Sequence, residues 1–460
     1  MAIALKGAKV LVLGLGDTGL SMTRWLTRQG ARVSAADTRA APPQAQTLAR
    51  ELPQVRLRCG PFERGHFTGI DWIALSPGVD PRVGELAAAL KRGVPAAGDV
   101  ELFAQTLQTK KSAARVLAIT GSNGKSTVTA MCNAMCLAAG LDTVMAGNIG
   151  LPVLEVLTEI DNGRAMPDMV VLELSSFQLE TTASLRPAAA TVLNLSEDHM
   201  DRYDSYTDYG AAKARIFAGG GVQVLNRDDA LTLAMAREGR DVVTFGLSAP
   251  ANDSEWGLRG SGAAQTLVQG DNAVMPVNEL PLAGLHNAAN ALAAGALCRV
   301  VQAPHAAMAS ALRGFKGLPH RVEKVNKIKC IDFYDDSKGT NVGATVAALA
   351  GMQQPVVLIA GGDGKGQDFS PLAAVASRAR AVVLIGRDAP LIAHALQPAG
   401  VKLLRAGGMT EAVQTAYRAA QAGDAVLLSP ACASYDMFRN YVHRAEVFVE
   451  AVRQLSLREG

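Results

Sequence analysis

The densest chemistry in this chain lies at residues 119–127, ITGSNGKST. An apolar run, Val116 to Ile119, ends in Thr120 and is followed by Gly121, Ser122, Asn123, Gly124, Lys125, Ser126 and Thr127. The residues beyond can continue as a helix through Leu137. A strand, a glycine-rich turn and a helix start make a phosphate cradle. Backbone N–H groups curl round an oxyanion, the helix dipole adds to the field, a lysine neutralises charge and a hydroxyl holds Mg²⁺. The strict pattern opens on a glycine, and Ile119 stands there instead. Lys125 as a solvated helix-start lysine is the bland reading; ATP binding explains more of the stretch.

Two further clusters sit at the ends of apolar runs. Met169 to Leu172 delivers Glu173 into Ser175, Ser176, Gln178 and Glu180. Ala190 to Leu193 leads to Asn194, Glu197, Asp198, His199, Asp201 and Arg202. A charge at the mouth of a buried strand is too costly to be idle core, so it belongs to a site or to the surface. Ser126, Glu173 and His199 are the candidate Mg²⁺ side. His199 as a loop histidine bonded to Asp198 or Asp201 stays open. Lys213 lies on the helical run Tyr209 to Phe217. Later loops add Asp335 to Asn341 (DDSKGTN), Gly361 to Lys365 (GGDGK) and Ser429 to Asp436 (SPACASYD).

These groups need strands and helices to hold them. Near the start, Lys9 to Leu13 reads as a strand, followed by Gly14, Gly16 and Gly19, a helix, and a second strand, Arg32 to Ala36, ending in Asp37. An acid about 20 residues beyond glycines between strand and helix is a dinucleotide fingerprint. It suits a nicotinamide or flavin site, another nucleotide's phosphates, or a purely structural turn. Trp72 to Leu75 then ends in Ser76, Pro77 and Gly78. Strands at Val222–Leu225 and Val242–Phe245 continue the pattern, and turn-rich residues 249–273 suit a small antiparallel excursion. Further strands are expected at Lys329–Phe333, Val356–Ala360, Ala381–Ile385, Val401–Leu404 and Ala425–Leu428, with helices between. Strands alternating with helices imply an α/β fold with mostly parallel sheets.

At 460 residues the chain exceeds one core. Polar, weakly patterned residues 104–114 and the GLPHR stretch, 317–321, divide it into 1–105, 106–317 and 318–460. A net charge of +3 without a basic block argues against nucleic acid as a partner. No apolar stretch reaches membrane-spanning length. The N-terminal apolar run is cut by glycines and resembles a first strand more than a signal peptide, so the cytoplasm is the expected compartment. Cys59, Cys132, Cys136, Cys298, Cys330 and Cys432 form no metal or disulfide framework, and Cys132 with Cys136 reads as buried reduced thiols.

Taken in order, TGSNGKST, GNIG (147–150), ELSSFQLE (173–180), LNLSEDHMDRY (193–203), AAK ending at Lys213, GLHNAAN (284–290), GLPHR, DDSKGTN, GGDGK and SPACASYD resemble the bacterial Mur ligases over nearly the whole chain. ELSSFQLE with SPACAS is similar to the D-glutamate-adding branch. The resemblance implies a Rossmann-like UDP-binding domain, a central P-loop ATPase-like domain and a Rossmann-like C-terminal domain. It implies a monomer working with ATP, Mg²⁺, D-glutamate and UDP-N-acetylmuramoyl-L-alanine in peptidoglycan synthesis. Gly14, Leu15, Asp17, Thr18, Asp37, Thr38 and Arg39 match the uridine neighbourhood, with Ser76 and Gly78 beside it and Asn148 also on the substrate side. Asn287, Asn290, Arg321 and Asp336 match that of adenine and ribose. Thr340, Lys365, Ser434 and Tyr441 would clamp the amino acid.

The same resemblance makes Lys125, Glu173, His199, Lys213 and Lys338 the catalytic set, with Lys213 carried as a carbamate that joins Ser126, Glu173 and His199 at the metal. The implied chemistry activates a carboxylate as an acyl phosphate, which the amine of D-glutamate then attacks. Tyr441 departs from the phenylalanine of near relatives, as does the run Val442-His443-Arg444; residues 155–168 and 249–273 are longer than usual. Readings kept beside this one are another Mur ligase or a folylpolyglutamate-type synthetase, a nicotinamide-dependent dehydrogenase, and a non-catalytic nucleotide sensor.

Overall fold

The computed structural model describes residues 5–282 and 284–459. The opening of the N-terminal run, residues 1–4, lies outside them. Three sheets with flanking helices follow one another along the chain.

The first sheet holds β1 (Lys9–Leu13), β2 (Arg32–Asp37), β3 (Arg56–Cys59), β4 (Trp72–Leu75) and β5 (Ala96–Ala97), all parallel, in the order β3-β2-β1-β4-β5. Strand order reverses beside β1, which is where such sheets open a ligand crevice at their C-terminal edge. Gly14 fits that edge for two reasons: its φ is +84°, and a Cβ there would lie 2.8 Å from Val79 Cγ2. A Cβ on Gly19 would lie 1.8 Å from the Gly14 carbonyl oxygen, so the helix Asp17–Arg28 sits tight against the turn.

The second sheet contains β6 (Arg115–Thr120), β7 (Thr143–Gly147), β8 (Met169–Glu173), β9 (Ala189–Val192), β10 (Val222–Asn226), β11 (Val242–Phe245), β12 (Glu255–Arg259), β13 (Thr266–Gln269) and β14 (Asn272–Pro276). Its order is β14-β13-β12-β11-β10-β9-β6-β8-β7. The pairings from β7 to β12 are parallel, and β13 and β14 are the expected antiparallel excursion, added to the same sheet. The strand carrying the glycine-rich turn is thus flanked by the strands that lead to Glu173 and to the His199 loop. In the core beside it, Cys136 Sγ lies 3.9 Å from Cys298 Sγ, both thiols buried and free.

The third sheet has β15 (Glu323–Ile328), β16 (Ile331–Asp335), β17 (Val356–Gly361), β18 (Ala379–Ile385), β19 (Lys402–Arg405) and β20 (Ala425–Leu428) in the order β15-β16-β20-β17-β18-β19. β20 inserts between β16 and β17, parallel to both. That placement brings the DDSKGTN, SPACAS and GGDGK loops side by side at one edge, although nearly 100 residues separate the first from the second.

Several elements differ from expectation. The helix Asp99–Thr109 takes in residues read as linker, because Glu101 anchors it by accepting from Ala183 N, Ser184 N and Ser184 Oγ. The strand expected at Lys329–Phe333 is a hairpin turning at Lys329, whose φ is +52°. Its first arm, EKVNKI, is an edge strand whose charges face solvent and hide its period. The strand Thr143–Gly147 and the helix Val153–Asp161 are additional to the expected elements. One apolar cluster runs through the first two sheets, whose opposite faces carry clusters of their own, and the third sheet packs in two further clusters. Among the described residues no helix is long and apolar enough to cross a membrane.

Candidate active site

A cleft of about 510 Å³ opens where the strand-end loops of the three sheets meet. The second sheet contributes the glycine-rich turn. Gly124 takes φ +82°, and a Cβ there would lie 2.6 Å from Asn290 Oδ1, so the turn must approach the helix Leu285–Val300 closely. The following loop straps it in place. Ser122 Oγ donates to Ser196 O at 2.9 Å, and Asn123 N donates to Asn194 Oδ1 at 2.8 Å. Lys125 folds back and donates to the carbonyls of Gly121 (2.9 Å) and Ser122 (2.8 Å). Burial lowers its pKa.

Lys213 is 2% exposed, and its helix points it at the same turn. Nζ donates to Gly121 O at 2.9 Å and lies 4.6 Å from the centre of the Tyr209 ring. Burial, aided by the neighbouring Lys125 charge, pulls its pKa well below the ordinary lysine value. Lys213 is therefore no solvated surface lysine. Glu173 is buried; Oε1 accepts from Asn148 Nδ2 at 2.7 Å, and Oε2 has no hydrogen-bond partner among the described residues. A buried carboxylate oxygen left unpaired in a cleft that Ser126 and His199 also line suits a hard cation. The Ser126 hydroxyl accepts from Arg321 Nη2 at 2.7 Å, so that guanidinium covers the loop from the third unit.

His199 lines the cleft with φ +58°, a strained conformation for histidine. Its ring packs against Phe177 with centroids 4.7 Å apart, and its backbone N–H donates to Asp198 Oδ1 at 3.0 Å. Burial, reinforced by the charges of Lys365, Lys125 and Lys213 and opposed by Asp198, lowers its pKa to about 4. The ring is neutral at neutral pH.

From the third unit, Asp336, Lys338, Thr340, Lys365, Ser434 and Tyr441 reach the same cleft. Lys338 Nζ lies 3.9 Å from the Tyr441 ring centre, and burial brings its pKa down to about 8. Asp336 Oδ2 accepts from Ser429 Oγ at 2.7 Å, and burial raises its pKa to about 7. Thr127, Asn287 and Asn290 complete the wall. Of the first-unit residues singled out, Gly78 borders this cleft, with Pro77 beside it. Gly14, Leu15, Asp17, Thr18, Asp37, Thr38, Arg39 and Ser76 gather at the edge of the first sheet instead.

There Asp37 is fully engaged. Oδ2 accepts from Leu15 N (2.7 Å) and Arg39 Nη2 (2.6 Å), and Oδ1 from Arg39 N (2.9 Å) and Nε (2.8 Å). Burial opposes ionisation, but the Arg39 guanidinium and these N–H groups hold its pKa below the usual value. A carboxylate so committed has little left for a ribose diol, which weakens the nicotinamide reading. Leu15 is wholly buried behind it, while Thr38 and Arg39 are exposed.

Sequence reasoning gave no site role to three residues that the structure makes prominent. Asp198 pairs with Lys365 across the cleft, and Asn341 also reaches Asp198. Arg444 is wholly buried and ties Ser337 to Cys432. Asp198 and Asn341 stood inside recognised motifs; nothing near Arg444 in the sequence marks its contacts.

Three α/β units with a phosphate loop, a buried acid and several lysines turned into one cleft define a multi-unit nucleotide-binding enzyme. Matches to known families run along the chain. Residues 8–98 match the Mur ligase MurD-like N-terminal domain, 119–298 the Mur ligase middle domain, and 320–432 the Mur ligase, glutamate ligase domain. The chain belongs to the Mur ligase family. It is 60% identical to UDP-N-acetylmuramoylalanine--D-glutamate ligase of Thiobacillus denitrificans, over 100% of this chain and 99% of that protein. It is 57% identical to the protein of the same name from Methylobacillus flagellatus, over 99% of each. Among solved structures, UDP-N-acetylmuramate-alanine ligase of Thermotoga maritima shares the fold with a TM-score of 0.62 at 19% identity, over 97% of this chain and 100% of that one.

Proposed function

We propose that the chain joins D-glutamate to UDP-N-acetylmuramoyl-L-alanine, driven by ATP, forming an amide in peptidoglycan precursor synthesis. The observation that carries this reading is the convergence of Lys125, Lys213, Glu173 and His199 from the second unit with Lys338, Thr340, Lys365 and Ser434 from the third in one cleft. Full-length identity to relatives of that name supports the choice of substrates. The working division is 1–105 for the uridine nucleotide, 106–317 for ATP, and 318–460 for the amino acid and part of the ATP site.

Phosphoryl transfer asks for positioning and charge more than covalent help. Lys125 swings off the carbonyls of Gly121 and Ser122 to neutralise phosphate oxygens, while Arg321 leaves Ser126 for the nucleotide. Glu173, Ser126, His199 and Lys213 as a carbamate would hold Mg²⁺, which when bound supplies charge to draw two anions together. The carbamate forms as the neutral Lys213 amine attacks the carbon of CO₂ and gives up one proton. Its low pKa keeps that amine available. The substrate's terminal carboxylate then attacks the γ-phosphorus, and ADP leaves from an acyl phosphate. Thr340, Lys365 and Ser434 hold D-glutamate, whose neutral amine attacks the acyl carbon; phosphate departs as the amide forms, carrying away the proton that the amine loses. The loops of the third unit keep water from the acyl phosphate.

The test is phosphate release with UDP-N-acetylmuramoyl-L-alanine, ATP and Mg²⁺ across D-glutamate, L-glutamate, L-alanine and meso-diaminopimelate. D-glutamate alone is expected to drive turnover. Equal turnover with another amino acid, or none with D-glutamate, refutes the assignment.

A further inference from the structure

We propose that Asp198 is a positioning residue, a buried latch that closes the third unit onto the second and sets Lys365 and the Thr340–Asn341 turn for the amino acid. The role rests on the reading of Lys365 and Thr340 as amino-acid ligands.

Asp198 follows β9 and is 6% exposed. One oxygen, Oδ1, accepts from Lys365 Nζ in an ion pair and from His199 N at 3.0 Å. The other, Oδ2, accepts from Asn341 Nδ2 at 3.3 Å. Both distant partners belong to the third unit, on two different loops. Asn341 also caps the helix Val342–Gly351, with its Oδ1 accepting from Ala344 N at 2.9 Å. The start of that helix is therefore tied to Asp198 through one amide. Lys365 adopts φ +53°, a backbone conformation that needs support in a lysine, and its N–H donates to Asp363 Oδ1 at 3.0 Å. The units meet closely here. A Cβ on Gly343 would lie 2.8 Å from Ser196 Oγ and 2.9 Å from Asn123 Nδ2, so a larger residue there would have to push these side chains aside.

A buried charge pair contributes little against an apolar substitute, but removing one partner leaves the other desolvated and alone. With Asp198 neutral, Lys365 gains by turning to water, and the simplest way is for the third unit to swing out. When substrate enters, its carboxylate shares Lys365 with Asp198 without dismantling the latch, because Asn341 still holds the second oxygen. Arg321 on Ser126 is a separate contact between the same units, so the phosphate loop keeps one third-unit partner when Asp198 is lost.

The experiment compares D198N, K365M and the double variant in the full chain, by small-angle scattering without ligands and by steady-state kinetics. D198N is expected to enlarge the radius of gyration and raise KM for D-glutamate by at least about tenfold, with KM for ATP changed less than about threefold. K365M should enlarge the radius equally, and the double variant should add nothing. A role confined to loop stability would lower Tm without separating the two KM values. An unchanged radius and KM ratio in D198N, or additive opening in the double variant, overturns the proposal. Should D198N not fold, K365M decides the scattering test from the other side of the pair. The scattering result does not depend on which amino acid is used, so a failed D-glutamate assignment would show itself separately, in the native chain's phosphate release.

Discussion

Arg444 offers a sharp test of how the amino-acid side of the cleft is held. Its guanidinium is fully buried, with Nε donating to Ser337 Oγ at 3.0 Å, Nη2 to Ser337 O at 2.7 Å, and Nη1 to Cys432 O at 3.0 Å. Ser337 stands next to Lys338, and Cys432 lies two residues from Ser434. One side chain thus pins the two loops that carry those groups. In Arg444→Met the two carbonyls lose their donors, at about 1–3 kcal/mol each if they stay dry. The space left by the guanidinium admits water, which returns part of that, so a net loss of ~2–3 kcal/mol is expected. Expressed wholly as lost loop order, this corresponds to a 30- to 150-fold fall, roughly, in kcat/KM for D-glutamate. The transition of the third unit should move down by roughly 5–10 °C in calorimetry. Arg444→Lys, which restores one donor, should recover part of both. An Arg444→Met protein within threefold of the parent in kcat/KM and unchanged in Tm would refute the reasoning.

Other consequences can be checked alongside. Lys125→Ala should cut turnover by about 2–4 orders of magnitude in a folded protein; more than a tenth of the activity remaining would rule out its charge role. Lys213→Ala should nearly abolish ligation, with partial rescue by a short carboxylate that does nothing for Lys125→Ala; ¹³C-bicarbonate NMR should show a carbamate signal in the parent that this variant lacks. Above pH 6.5 His199 is neutral in both folded and unfolded chains; between 6.5 and about 4 only the unfolded chain takes up its proton, so stability falls with pH across that window. Tm followed from pH 7 to 4 should decline less steeply in His199→Asn, and parallel curves would contradict the shift. Gly19→Ala should destabilise the first unit by about 1–3 kcal/mol or more, since its Cβ meets the Gly14 carbonyl oxygen, and an unchanged urea midpoint would show that the turn yields easily.

Much of the molecule is legible in one dimension because its signals are local. Apolar runs of strand length alternating with helical patterns fixed the α/β class, and the Gly121–Thr127 turn announced phosphate chemistry because backbone N–H groups, a lysine and a hydroxyl must be contiguous to cradle an anion. Glu173 could be singled out because a charge ending an apolar strand needs a reason. Tertiary structure decided the rest. The insertion of β20 between β16 and β17, invisible to any local pattern, places the DDSKGTN, SPACAS and GGDGK loops together. Burial, not sequence, separates Lys213 from an ordinary surface lysine, since the same helix turned the other way would leave its amine in water and fully charged. Asp37 reads as a free ribose acceptor until its four hydrogen bonds are seen. Asp198 and Arg444 became prominent only when loops far apart in sequence closed around them, because the worth of a buried charge is set by its partners and by the water that folding removes.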